Sequence, residues 1–305
     1  DAVAQVKYPA TAKDNTIDEY FGEKVADPYR WLENDTSAAT AEWVREENLV
    51  SRKYLDNIPM RKAILKRLKE TANYEKRGMT FERGGKWYAY RNDGLQNQAV
   101  LYQMDRYDAP VSEWRVWLDP NTLSTDGTVA LKSTTFSHDG KYMAYVISRN
   151  GSDWEEIYVK DVATGKTLDD HIVWAKFTKA TWVGDGFYYS AYDAPEKGKE
   201  TSAKNAVQKI YYHRIGTPQS DDRLFYQNPS QPLRFYEVSV NKEETVMYLT
   251  EAGMDNGNNL YVRDTVNTLL ERRLDLNVTL SDYRTFDVTG RERMWMAWWL
   301  EMGRL

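Results

Sequence analysis

The chain has 305 residues, 41% of them hydrophobic and 29% charged, with a net charge of −5. That is a globular composition, long enough for one large domain or two ordinary ones, and neither disordered nor collagenous. A negative balance spread along the whole chain argues against nucleic acid as the main partner, because phosphate binding needs a basic footprint. The absence of cysteine excludes disulfides, thiolate catalysis and cysteine-ligated metals.

In chain order, the opening Asp1-Ala2-Val3-Ala4-Gln5 fits what a removed export signal leaves behind. The expected location is therefore periplasmic or otherwise exported, with cytoplasmic as the alternative. Residues 1–72 form a segment of helical character. Asp35 and Thr36 offer N-caps, and Ala39, Trp43, Val50 and Tyr54 follow at helical spacing. Ile58-Pro59 breaks the run, since the residue before proline avoids the helical region. A second helix puts Ile64, Leu65, Leu68 and Ala72 on one face. Arg61, Lys62, Lys66, Arg67 and Lys69 surround it as a solvated face. No apolar run approaches the ~20 residues of a membrane span, so no membrane is expected as a partner.

Residues 73–305 read as short aromatic strands between polar turns, the pattern a pleated surface favours. One unit recurs: a Gly- or Asp-bearing turn, then large apolar or aromatic residues. It appears at Gly84–Tyr90, Ser137–Tyr145 and Gly184–Tyr189, and more weakly at Asn241–Tyr248 and Thr289–Met296. A second strand type lies between the copies, at Ala99–Tyr102, Glu156–Asp161, Lys209–Tyr212 and Asn259–Asp264. A repeat of about fifty residues with several strands per unit matches a β-propeller blade. One four-stranded sheet cannot bury both its faces, whereas radially stacked sheets bury both. A β-sandwich is the competing architecture, but sandwiches rarely repeat in order at this length. The span has room for four to five blades, fewer than a typical ring. Together with the end at Leu305, just after a strand-like run, this reads as part of a longer protein.

The residues present do not assemble an active site. No Gly-x-Ser-x-Gly elbow occurs; Gly151-Ser152-Asp153-Trp154 lacks the second glycine and reads as a turn. The three histidines are far apart in sequence. His138 falls in a turn, His171 at a strand start and His213 at the end of an aromatic strand, each a structural position. The run from Asp255 to Asn259 has oxygens for calcium, but a hairpin loop accounts for it more simply. Phosphate-binding loops are absent. The tryptophans fall mostly at strand positions, where packing between sheets explains them better than stacking on sugars. No catalytic residue, metal or cofactor is expected within these residues.

Specific strings carry more. Tyr8-Pro9, the run from Asp18 to Glu33 (DEYFGEKVADPYRWLE), Arg91–Tyr102, Leu118–Thr128, Gly151–Trp154 and Lys209–Ser220 (KIYYHRIGTPQS) closely resemble the prolyl oligopeptidase family, and within it the prolyl endopeptidase branch. The resemblance covers about residues 8–264, and 265–305 match weakly. It implies a mainly β chain: a helical segment at 1–72 that packs on an α/β-hydrolase domain, then part of a seven-bladed propeller at 73–305, its ring not closed by strand exchange. It also implies that the hydrolase domain, with its Ser-Asp-His triad, is absent from this chain. The implied function is the substrate-gating portion of a serine-type enzyme that cuts short peptides after proline, the 305 residues alone being inactive. The implied partners are short proline-containing peptides and the hydrolase domain of the same protein. Val159 and Phe225 match positions that line the proline pocket in the family, although both differ from the family's usual residues. The alternative reading is a non-enzymatic propeller that binds peptides or proteins.

Overall fold

The structure, a computed structural model, describes residues 6–253, 258–264 and 272–274. The chain forms two compact units. The first comprises the chain up to Glu75 with Asp93–Leu95 and Ala194–Lys204, and the second comprises the rest.

The first unit opens with a hairpin of β1 (Ile17–Tyr20) and β2 (Glu23–Ala26). Its turn places Phe21 and Gly22 at φ of 53° and 87°. Two successive positive φ values match the twist of paired strands. The sequence reading missed this hairpin because a bulky Phe stands where Asn or Gly would announce such a turn. Helices α1 (Ala38–Asp56) and α2 (Arg61–Ala72) follow, on either side of Pro59. The cap of α1 is Ser37, one residue beyond the expected Asp35 and Thr36. Its hydroxyl accepts the Thr40 amide at 3.1 Å. The Trp31 and Trp43 indoles tie the N-terminal arm down, donating to the Ala12 carbonyl and the Thr11 hydroxyl at 2.9 Å each. The apolar stripes of both helices are exposed within this unit. Leu49, Tyr54, Ile64, Leu65 and Leu68 each keep about half or more of their surface in water.

The second unit holds four blades among the described residues. The first contains β3 (Lys76–Arg77), β4 (Phe81–Arg83), β5 (Lys86–Asn92), β6 (Val100–Met104) and β7 (Arg115–Leu118), with β3 and β4 sharing one edge of β5. The second runs β8 (Val129–Phe136), β9 (Tyr142–Arg149), β10 (Glu155–Asp161) and β11 (Thr167–Ala175). The third is β12 (Thr181–Val183), β13 (Gly186–Ala191), β14 (Lys209–Arg214) and β15 (Arg223–Gln227). The fourth is β16 (Phe235–Val240), β17 (Val246–Ala252), β18 (Asn258–Asp264) and β19 (Arg272–Leu274). Each is an antiparallel meander, and the Ala175–Ala191 pairing joins the second and third into one hydrogen-bonded sheet. The recurring sequence unit is the turn into each blade's second strand, and the second strand type is its third strand. The copy at Thr289–Met296 and the run Asp255–Gly257 lie outside the described residues.

The burial pattern explains the stacking. All six residues of β13 are buried, as are six consecutive residues of β9, because each strand has a neighbouring blade on both faces. Between the first and second blades lie Tyr88, Leu101, Met143 and Ile147, with Tyr88 and Phe136 rings 4.7 Å apart. Between the second and third, Val146, Ile157 and Ile172 meet Trp182, Phe187 and Tyr189. The Trp182 indole donates to the Thr135 hydroxyl at 3.1 Å. Between the third and fourth, Tyr188 and Ile210 meet Tyr236, Val238, Met247 and Leu249.

The turns from first to second strand meet at one end of the stack. Gly84 and Gly140, from the first two blades, touch backbone to backbone. His138 Nδ1 in the second lies 2.5 Å from Glu244 Oε1 in the fourth. The other Glu244 oxygen accepts the Gly184 amide of the third at 2.7 Å.

Candidate functional site

In a meander, connections alternate between the two ends, so the opposite end carries 150–154, 176–180 and 228–234. The backbone there is strained. Trp174, Phe177 and Val207 have φ of 59°, 53° and 58°, a region that side chains this large enter at a cost. The local cause is the brevity of β12, which has three residues where β8 has eight and β16 has six. The segment before it therefore leaves the sheet, and side chains replace the ladder. The Ser190 amide donates to the Thr178 hydroxyl at 2.8 Å, and the Thr178 amide donates to Glu155 Oε2 at 3.2 Å. The fully buried Gln208 donates to the Lys176 carbonyl at 3.1 Å and accepts the Tyr236 amide at 2.6 Å, linking three segments.

Aromatic rings crowd this end. The Trp154 ring meets Trp174 edge-on at 5.3 Å, and Phe177 meets Phe235 at 5.6 Å. The buried Lys176 ammonium lies 4.9 Å from the Trp154 ring centre, a desolvated cation–π contact. Burial pushes the neighbouring Glu155 carboxyl above the usual carboxylate range, against the opposing Thr178 amide. Beside these groups, a cavity of about 300 Å³ opens among Ser133, Thr178, Thr181, Ser190, Tyr188 and Val238. Lys179 Nζ and Glu237 Oε1, 2.5 Å apart, line it too.

The histidines are all engaged by carboxylates. His138 pairs with Glu244. His171 stands in the middle of β11, not at a strand start, stacked on Tyr158 at 4.4 Å with Nε2 2.9 Å from Glu156. His213 is fully buried between Asp222 at 2.7 Å and Asp170 at 3.0 Å. Tyr189 donates to Asp222 at 2.6 Å, and the Gly216 amide donates to Asp170 at 2.6 Å. A hydrolytic nucleophile needs a base within hydrogen-bond reach, and these histidine contacts pair no serine with a base. Among the described residues no group of three or more His, Asp and Glu is placed to hold a metal ion.

The two residues that the resemblance assigns to a substrate pocket pack in different core clusters, and neither lines this cavity. Val159 is fully buried in the core between the second and third blades. Phe225, on the outermost strand of the third blade, is half-buried with its ring 4.9 Å from Tyr188. Sequence reasoning missed Phe177, Lys176, Gln208 and the surroundings of His213. Their roles depend on backbone strain and on partners far away in the chain, neither of which leaves a local pattern.

The family model for the prolyl oligopeptidase N-terminal β-propeller domain matches residues 9–286. The chain belongs to the prolyl oligopeptidase family. The prolyl endopeptidase of Elizabethkingia miricola is 41% identical over 263 residues, which cover 86% of this chain and 37% of that protein. The Elizabethkingia meningoseptica prolyl endopeptidase is 39% identical, over 91% of this chain and 39% of its own length. Prolyl oligopeptidase B from Galerina marginata, solved with a 35mer hydrolysis and macrocyclization substrate, superposes with a TM-score of 0.72 at 26% identity. That match covers 93% of this chain and 43% of the solved one. This member of the family thus spans about two fifths of the length of the curated relatives it matches. The strained, ring-lined end lies within the β-propeller domain that the family model matches.

Proposed function

We propose that the whole protein is a serine-type prolyl endopeptidase that hydrolyses short peptides after proline, and that these residues supply its N-terminal segment and part of its gating propeller. The observation that carries this reading is the 41% identity to a prolyl endopeptidase over 86% of the chain. On this reading the chemistry is acyl transfer through Ser, His and Asp of a hydrolase domain. The carboxylate-bound histidines of this chain take no part in it. The exposed apolar stripes on α1 and α2 support docking of the N-terminal segment on that domain. The same reading assigns Val159 and Phe225 to the wall of the proline pocket. A Phe225→Ala enzyme that melts like the wild type and has a raised KM for prolyl substrates supports this for Phe225; an unchanged KM refutes it.

The decisive experiment compares the full-length protein with the 305-residue chain on benzyloxycarbonyl-Gly-Pro-4-nitroanilide and its Gly-Ala analogue. Full-length protein is expected to release nitroaniline from the prolyl substrate only, and the chain from neither. Turnover of both substrates alike by the full-length protein, or prolyl turnover by the pure chain, overturns the reading.

A further inference from the structure

The cavity where β12, the first strand of the third blade, stops short is built like a binding pocket and takes no part in the acyl-transfer scheme above. We propose that it is a second peptide subsite, which receives one bulky, uncharged, apolar residue of a substrate at a distance from the bond to be cut. This rests on the reading of the protein as a peptidase.

Four observations support it. The first is size: about 300 Å³ would hold roughly ten waters at about 30 Å³ each, enough for a large side chain with its peptide group. The second is an unused polar atom. The buried Ser133 hydroxyl has no hydrogen-bond partner among the described residues, although it can both donate and accept. Ser133 lines the cavity, and a rotation of its side chain would offer this hydroxyl to an incoming peptide N–H or carbonyl. The third is an exposed ring. Phe177 is held at φ 53° with 55% of its surface exposed, its ring against Phe235. Whatever sets its backbone, so exposed a ring beside the cavity offers a ligand a stacking surface. The fourth is charge. Lys179 and Glu237, both about half exposed, pair with one another at the edge of the cavity, so neither is a free counter-charge for a charged side chain. Apolar walls with a few convergent hydroxyls are the usual composition of a small-ligand pocket.

The test is calorimetric titration of the 305-residue chain with acetyl-Gly-Gly-Leu-Gly-Gly-amide and its Ser-centred analogue. The leucine peptide is expected to bind about ten-fold or more tightly than the serine peptide. Two variants then probe the site. Ser133→Leu fills the cavity without breaking a hydrogen bond. Phe177→Gly removes the ring in a backbone conformation that glycine adopts freely, so the variant should fold and lose the preference for leucine. A wild type that fails to separate the two peptides, or a folded variant that still separates them, overturns the subsite; if Ser133→Leu does not fold, Phe177→Gly decides. The prolyl anilide assay on full-length protein is independent. Prolyl cleavage without leucine preference removes the subsite alone, and absence of prolyl cleavage removes the reading beneath it.

Discussion

His213 shows how much one side chain can link. Burial alone would push its pKa down. Hydrogen bonds and charge from Asp222, then Asp170, outweigh burial and hold the pKa above the ordinary histidine value. A pKa raised in the folded state contributes stability that is full below the unfolded value of about 6.5 and is lost as pH rises through the folded one. Thermal melts of the chain should therefore fall as pH rises above about 6.5. In His213→Gln that part of the slope should vanish, and an unchanged slope would remove His213 as its source. Replacing one carboxylate is harsher. Asp222→Asn leaves a buried ion pair incomplete and should cost about 3–5 kcal/mol by denaturant titration. The sequence showed His213 at the end of an aromatic strand, which the structure bears out. It could not show that Asp170, in the preceding blade, is a partner, since nothing local encodes a contact across 43 residues.

Among the elements, the blade was legible because its cause is repetitive. The second strands of the second and third blades, β9 and β13, are pressed from both faces and buried in continuous runs, and Trp87, Tyr142, Phe187 and Met247, each early in a second strand, mark a period visible by eye. The β1–β2 hairpin was not legible, because its turn breaks the usual turn chemistry. Nor was the shortness of β12, which follows from where the chain leaves the sheet. Two substitutions test the stacking itself. Trp182 is buried between the second and third blades, so Trp182→Ala should cost about 3–5 kcal/mol in chemical denaturation. A loss below 1 kcal/mol would mean that the blades hardly depend on each other there. Gly140 has φ of 71°, and an added Cβ would overlap the Gly84 backbone. Gly140→Ala should destabilise by about 1–3 kcal/mol, read as a lower melting temperature. An unshifted melt would show that the two turns separate freely.

On the scale of the whole molecule, the exposed stripes of α1 and α2 set how the chain behaves in solution. Exposed apolar patches of this kind are association surfaces. The chain alone is expected to elute above its 35.6 kDa in gel filtration, and Leu65→Lys with Leu68→Lys should return it towards that mass; elution at that mass by the unmodified chain would contradict the docking role. The family was readable from long strings such as Asp18–Glu33, while the cavity was not, because it forms among strands of three blades that lie far apart in sequence. The meeting of the first turns has a mechanical meaning as well. Gly84 against Gly140, and Glu244 reaching both His138 and Gly184, fasten the blades at one tip like the rivet of a folding fan. Any splaying of these blades must either break those contacts or pivot about them.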